Sequence, residues 1–390
     1  MCGHARSAVE KYTDLAKIQT KDLRMVATPC LDDSQLSQED FDNKGRLHDI
    51  AAQVVLTCLY LARHNRPDIL WSVNHLARHV TKWSQADDKR LQRLISYLHH
   101  TQHYVQQCVA GDYITDCLLV MYVDAGYAGD LGDSKSTGGA IIYLLGPNTC
   151  VPLAWVCKKQ GAVSHSSTEA EIISLEMAIR MVGYPLLQLW DEILAVMTKA
   201  KRRTPDPELR RLNSLEAISN SIDHVPTTCP EPGNGKLVVL EDNDAVIKML
   251  MKGRSDKMRH VPRTHRINLD WLLCQMRVDP GLRTKHISTK NQLADMFTKG
   301  IFAIPQWNHL LRLSGIVPSK QQTVQLLGQP NQKQQLGQQL GQQKAAGVVG
   351  ATQPKTKRSP WEFYAGFWRG KCATRMKAEE TQPCQKEEQC

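Results

Sequence analysis

Cys117-Leu118-Leu119-Val120-Met121-Tyr122-Val123-Asp124 is an apolar run that stops on an acid, and it reads as a strand. Gly126, Gly129, Gly132 and the pair Gly138-Gly139 follow it and punctuate turns. Residues 140–145 read as a second strand and 153–156 as a short third, so an antiparallel meander is expected. Ser166-Ser167-Thr168-Glu169 has the capping-box pattern. It opens a helix that carries Ile172, Leu175, Met177 and Ile179. Residues 236–240 read as a strand leading to Asp242. Helices are expected at 245–251 and 267–276, a last strand at 284–288 and a closing helix at 293–297. The order β-β-β-α-β-α-α-β-α predicts an α/β fold, a mixed sheet with flanking helices.

Outward from this region the chain changes character. Residues 1–45 show no clear period and read as a poorly defined leader. Residues 46–112 read as a small helical unit. Its apolar stripes are Ala52, Val55, Leu59 and Leu61, then Ile69, Val73, Leu76 and Val80, then Leu91, Leu94, Ile95 and Leu98. The α/β unit spans 113–316 and is interrupted by a basic, then Pro/Ser/Thr-rich insertion over 197–235. Residues 317–390 are rich in Gln and Gly, with Leu-Gly-Gln repeated at 327, 336 and 340, a composition that predicts a disordered tail. The aromatic and basic stretch 361–371 reads as part of that tail.

Among the 390 residues 42% are hydrophobic, enough for a sizeable core, and the formal net charge is +10, which suits a polyanionic partner such as nucleic acid. The 12 cysteines form no C-x-x-C pair and no set with zinc spacing, so reduced thiols are expected rather than a zinc site or a disulfide framework. No apolar run of about 18 residues and no secretory pattern is apparent. The expected location is therefore intracellular, cytoplasmic or nuclear, without a membrane.

Four acids stand where elements begin or end: Asp124 after the first strand, Glu171 in the first turn of the capped helix, Asp242 after the later strand and Asp295 in the last helix. Any one of them alone has an ordinary explanation as a turn, cap or solvated residue. Carboxylates brought together at one sheet edge repel one another and call for a cation. Hard oxygen ligands suit Mg²⁺, and two such ions about 4 Å apart can drive phosphodiester cleavage. Glu169 reads as the capping-box acid; Asp130, Asp133 and Asp244 read as solvated loop acids.

The motifs in sequence resemble those of the ribonuclease H region of copia-type LTR retrotransposon Pol polyproteins. Tyr122-Val123-Asp124-Ala125-Gly126-Tyr127-Ala128-Gly129-Asp130 with Asp133-Ser134-Lys135-Ser136-Thr137-Gly138-Gly139 resembles the family's first hairpin. Lys158-Lys159-Gln160 and Ser166-Ser167-Thr168-Glu169-Ala170-Glu171 resemble its second signature, Glu241-Asp242-Asn243-Asp244-Ala245 its third, and Asn291-Gln292-Leu293-Ala294-Asp295-Met296-Phe297-Thr298-Lys299 its last. Upstream, Tyr60-Leu61-Ala62-Arg63 and Arg66-Pro67-Asp68-Ile69 resemble the segment that joins reverse transcriptase to ribonuclease H. The resemblance covers residues 50–313. It departs at Thr264-His265-Arg266, where the family has a Lys-His pair, and in the long insertion.

The resemblance implies a ribonuclease H-like fold that cuts the RNA strand of an RNA–DNA hybrid. It places the metal-binding, catalytic acids on Asp124, Glu171, Asp242 and Asp295, with two Mg²⁺ ions that Mn²⁺ can replace. Ser134, Lys135, Ser136, Thr137, Lys158, Lys159 and Arg263 are the expected nucleic-acid contacts, and His286 a possible accessory residue. The remainder of a reverse transcriptase polyprotein is a further expected partner. No paired-Asp polymerase motif is present, so DNA synthesis is not expected. The competing reading is a decayed transposon fragment that at most binds nucleic acid. An integrase-like activity would need the order Asp, Asp, Glu, whereas here the Glu comes second.

Overall fold

The structure is a computed structural model that describes residues 2–129, 133–197, 235–252 and 258–319. The insertion and tail expected over 197–235 and 317–390 lie almost wholly outside the described residues, as do Asp130, Gly132 and the 361–371 stretch. Strands β2 (Leu118–Gly126), β3 (Thr137–Leu145), β4 (Cys150–Lys159), β5 (Leu237–Glu241) and β6 (Leu282–His286) form one mixed sheet in the order β4-β3-β2-β5-β6. β2, β3 and β4 pair antiparallel as a meander, while β2–β5 and β5–β6 pair parallel. This is the ribonuclease H-like mixed sheet with flanking helices that the sequence predicts.

Strand periodicity divides the core in two. Leu119, Met121 and Val123 of β2 face one cluster with Ala140, Ile142, Leu237 and Val239. Helices α6 (Ser167–Ala178), α7 (Tyr184–Met197), α8 (Asp244–Lys252) and α10 (Leu269–Val278) cover that face; the short α9 (Val261–Thr264) lies between the last two. Val120 and Tyr122 point the other way with Ile141, Tyr143, Val238 and Leu240. That second face is covered by α11 (Asp295–Thr298), α12 (Ile304–Leu313) and an N-terminal helical layer. The layer consists of α1 (Cys2–Ala16), α2 (Gln38–Asp42), α3 (His48–His64), α4 (Leu70–Ala77) and α5 (Gln85–His100). The helical unit is thus built into the core that closes the sheet. It also shields the edge strand β4: Trp155 Nε1 donates to the Ala62 carbonyl at 2.9 Å and Asn74 Nδ2 to the Cys157 carbonyl at 3.0 Å.

Several local expectations change. The leader holds helix α1, whose buried stripe Ala5, Ala8, Val9, Tyr12 and Ala16 is mostly alanine and so gives little hydrophobic contrast. Gly138 and Gly139 lie inside β3, not in a turn, and β4 is ten residues long. Residues 316–318 form β7 (Ile316–Pro318), which pairs with β1 (Tyr104–Gln106). A π-helical turn (Ile179–Gly183) joins α6 to α7 into one helical run, Ser167–Met197. By length and composition this run could cross a membrane, contrary to the expectation that no apolar run is long enough; 56% of its most apolar window is buried inside the fold, as in a core helix. The eight cysteines among the described residues are free thiols.

The helical layer is pinned by a buried ion pair in the Arg66-Pro67-Asp68 turn. Arg66 meets Asp68 through Nε–Oδ1 at 2.8 Å and Nη2–Oδ2 at 2.7 Å, and both residues are 1% exposed. Nη1 donates to the Thr101 carbonyl at 2.9 Å and Tyr97 Oη donates to Asp68 Oδ2 at 2.8 Å. Such a pair is weakly stabilising as a whole, but removal of one partner strands a charge. Asp68→Leu alone should cost about 3–5 kcal/mol in urea unfolding, and Arg66→Met/Asp68→Leu together clearly less. Equal losses in the single and double variants would show that the stranded charge is not the cause.

Candidate functional site

The site lies at the end of β2. Asp124 shares its face with Val120 and Tyr122, by the two-residue period of the strand. β5 pairs with β2 only as far as Tyr122↔Leu240. Beyond that point the β2 carbonyls are taken by side chains: Gln292 Nε2 donates to Val123 O at 2.9 Å, and Ser174 Oγ of α6 donates to Asp124 O at 2.8 Å. Glu171 precedes Ser174 by three residues and so lies on the same side of the helix. Ser166 caps α6 by accepting from Glu169 N at 3.1 Å.

Two adjacent glycines let helices approach from both faces. Gly139 pairs with Asp124 and Gly138 with Ala125. A Cβ on Gly138 would lie 2.7 Å from Ser174 Oγ, and one on Gly139 would lie 2.7 Å from Phe297 Cβ of α11. A side chain at either position would push back the helix that carries Glu171 or Asp295.

Asp124, Glu171 and Asp242 each offer a carboxylate oxygen within 4.8 Å of the others. Asp295 stands beside this trio and is tied to Lys299, whose Nζ lies 2.7 Å from Asp295 Oδ1 and 4.0 Å from Asp124 Oδ2. Thr298 Oγ1 donates to Asp124 Oδ2. Three of the four sequence-predicted acids therefore converge directly, and the fourth joins them through Lys299 and the field of Asp124 and Asp242.

Burial and mutual repulsion raise the proton affinity of the cluster. Burial first, then Asp124, Glu241 and Asp242, pushes Glu171 up to about 10. Burial, then Asp124, lifts Asp295 to about 7 against the pull of Lys299. Asp124 is raised by burial, with Lys299 and Thr298 opposing the shift. Lys299 is lowered by burial, but Asp124, Asp295 and Asp242 outweigh that and hold it above its ordinary value.

The sequence reading missed Glu241, Thr298 and Lys299, although all three lie within its quoted motifs. Glu241 is fully buried, accepts from Asn243 N at 3.1 Å, and is lifted to about 8 by burial and then, against that bond, by Asp242 and Asp124. Its Oε2 and Glu171 Oε2 are buried without a hydrogen-bond partner. Unpaired buried oxygens among mutually repelling acids are the donor set for a hard divalent cation, so the residues present fit Mg²⁺.

Glu169 makes only half of the expected capping box. Its buried carboxylate instead accepts from His165 N at 3.2 Å, and the Nε2 atoms of His260 and His265 lie 3.2 Å from its Oε1. These contacts dock the basic segment around α9 on the start of α6.

The expected nucleic-acid contacts have mixed placements. Ser134 and Lys158 are exposed, as is Arg263 on α9. Lys135 Nζ and Lys159 Nζ approach Asp133 at 3.6 and 2.7 Å, so Asp133 is an ion-pair partner in the hairpin rather than a merely solvated acid. Ser136 is fully buried and its Oγ accepts from Ala128 N at 3.1 Å, while Thr137 begins β3; both shape the hairpin from within. His286 ends β6, opposite Glu241 in register, with Nε2 3.9 Å from Asp244. Asp244 itself is exposed, as expected.

An α/β chain of this topology, with carboxylates gathered at the end of the first strand of its sheet, belongs to the ribonuclease H-like class of folds. No family model matches the chain. Over 250 residues, 63% of the chain, it is 27% identical to the retrovirus-related Pol polyproteins from transposons RE1 and RE2 of Arabidopsis thaliana. It covers only 13% and 14% of their lengths. Over 121 residues it is 36% identical to the secreted RxLR effector protein 161 of Plasmopara viticola, covering 80% of that protein and 31% of itself. The chain is thus similar to retrovirus-related Pol polyproteins of transposons, of which it spans a small part.

The raised acids set a pH dependence. A carboxyl whose folded pKa lies above its unfolded value near 4 holds its proton more tightly in the folded chain. Stability is therefore full below about pH 4 and falls as pH rises toward about 7, 8 and 10 for Asp295, Glu241 and Glu171. In chelator, the melting temperature should fall between pH 5 and 9, and Glu171→Gln should flatten that fall. Mg²⁺ should raise the melting temperature of the parent chain at pH 8 and much less that of the variant. A pH-independent melting temperature would contradict the assignment of repulsion to this cluster.

Proposed function

We propose that the chain is a divalent-metal ribonuclease H acting on RNA–DNA hybrids. The observation that carries this reading is the carboxylate trio of buried Asp124, buried Glu171 and half-buried Asp242, with its unpaired Glu171 oxygen. Asp124, Glu171, Asp242 and Asp295 would hold two Mg²⁺ ions, with Mn²⁺ able to substitute. Bound there, the ions supply the positive charge that activates a water and stabilises the leaving oxygen of a phosphodiester.

The chain's own residues prepare that chemistry. Thr298 fixes one oxygen of Asp124, which leaves the other directed by the β2 backbone and the Ser174 anchor. Lys299 holds Asp295 and lowers the charge of the cluster on one side. Ser134, Lys158 and Arg263, which are exposed, and Lys135 and Lys159, which also approach Asp133, would contact backbone phosphates and 2′-hydroxyls, features that distinguish a hybrid by shape rather than sequence. Within a longer Pol polyprotein this unit would act beside a reverse transcriptase, inside the cell.

A second reading is a retrotransposon relic that binds nucleic acid without cutting. The observation favouring it is His265 and Arg266 in place of the family's Lys-His pair, in the segment docked on Glu169.

A labelled RNA–DNA hybrid with Mg²⁺ separates the two. Cleavage of the RNA strand alone is expected, with a loss on the order of 10³-fold or more in Asp124→Asn. Gly139→Ala should also lower cleavage, by moving α11 away from Asp124. Hybrid binding without cleavage by the parent chain would favour the relic.

A further inference from the structure

A wide cavity of about 630 Å³ opens in the N-terminal helical layer, between the 21–35 segment and α5. Lys21, Arg24, Lys89 and Arg93 line it, with Asp22 as the one acid. Lys89 is paired with Asp40 at 2.6 Å, and the Asp22 carboxylate accepts from Gln19 N at 3.0 Å. Among the described residues no carboxylate pairs with Lys21, Arg24 or Arg93. Arg93 is also held in place: Nε donates to Thr28 O at 2.9 Å and Nη2 to Thr28 Oγ1 at 3.0 Å. A fixed guanidinium with two unpaired cations beside it is a preorganised anion site.

This cavity does not stand apart from the acid cluster. A second one, of about 330 Å³, shares Val26, Gln35 and Arg93 with it and extends to Gly300, Ile301, Phe302 and Ile304. Gly300 follows Lys299, the cation at the acid cluster. A Cβ at Gly300 would lie 2.6 Å from the Trp71 ring, so the segment leaving the cluster is pressed onto α4. Met25, Ile301 and Ile304 are 80%, 63% and 55% exposed along this second cavity. The two cavities therefore lead from Gly300, the residue next to Lys299, past an apolar stretch that also carries Asp32, to the unpaired cations. That sequence of chemistries matches a polynucleotide strand, whose bases and sugars offer apolar faces and whose phosphates need cations.

We propose that this groove is a second nucleic-acid contact, in which Lys21, Arg24 and Arg93 seat the phosphates of a strand that extends beyond the acid cluster. The inference rests on the nucleic-acid reading above and adds where a long substrate is gripped. Its consequence is a length dependence: a substrate must reach both the acids and the cationic cavity to gain the extra contacts.

Binding by fluorescence anisotropy across a salt series, in chelator with the full chain, tests this. For a long RNA–DNA hybrid, Lys21→Gln/Arg24→Gln should lower affinity on the order of tenfold at moderate salt. It should also reduce the slope of log K against log salt by about 2, one per cation removed. The loss should fall on the long hybrid and not on one too short to leave the acid cluster. Unchanged affinity and slope for the long hybrid would overturn the proposal, as would inorganic polyphosphate competing as well as a nucleic-acid strand at equal phosphate concentration. Cleavage with Mg²⁺ is scored separately. A chain that cuts but shows no slope change refutes the groove alone; one that shows the slope change but does not cut refutes the ribonuclease reading alone.

Discussion

Everything around β2 serves to hold Asp124 and its acidic neighbours together against their own repulsion. Carboxylates in a dry site each lose hydration and each disfavour the charge of the next. The fold meets that cost with rigid surroundings. A continuous strand delivers Asp124, a capped helix bolted to its carbonyl by Ser174 delivers Glu171, and the end of the adjacent parallel strand delivers Asp242. Parallel pairing of β2 with β5 matters here, because only then do both strands end on the same sheet edge. The Gly138-Gly139 pair is the other half of the arrangement, since it removes the side chains that would keep α6 and α11 at ordinary distance from β3.

The N-terminal helical layer changes how that sheet is stabilised. A ribonuclease H-like sheet has two faces to cover, and here the second face is closed largely by residues upstream of the sheet. Val54, Leu61, Leu91 and Leu94 join Val120, Tyr122 and Tyr143 in one cluster. The Arg66–Asp68 turn ties the layer together internally through Tyr97 and Thr101, and Trp155 and Asn74 stitch it to the edge strand. The alignment with the RE1 and RE2 Pol polyproteins spans 250 residues, more than the sheet and its own helices occupy. Helical layer and sheet are in physical terms a single packed body.

The elements legible in the sequence were those with strong contrast. The apolar runs of β2 and β3 and the capped start of α6 all carry signals that local chemistry enforces. Helix α1 was not legible, because a stripe built on Ala5, Ala8 and Ala16 hardly differs from its surroundings in hydropathy. Gly138 and Gly139 read as turn residues, since glycine signals conformational freedom and close approach with the same letter; only the packing of Ser174 and Phe297 tells them apart. Glu169 read as a cap acid because its spacing from Ser166 fits the box, while its actual partners, His260 and His265, lie some ninety residues away. The four acids of the site were legible from motif order, but the helpers Thr298, Lys299 and Glu241 were not, although they stand beside those acids in the chain. Their roles depend on distances across elements, which no local spacing encodes.

The charge distribution inside the cluster argues for where a cation would be needed most. Lys299 sits against Asp295 and reaches toward Asp124, so that flank already has an internal counter-ion. The opposite flank, Glu171 and Glu241, has two buried carboxyl oxygens without partners, and no Lys or Arg among the described residues forms an ion pair with either acid. Glu171 is accordingly raised to about 10, whereas Asp295 beside Lys299 rises only to about 7. A divalent ion shared by Asp124, Glu171 and Asp242 would therefore relieve the most strained part of the cluster first. The Asp295 flank differs in that its charge is already balanced within the chain, by a lysine that is 39% exposed and directly follows a short helix.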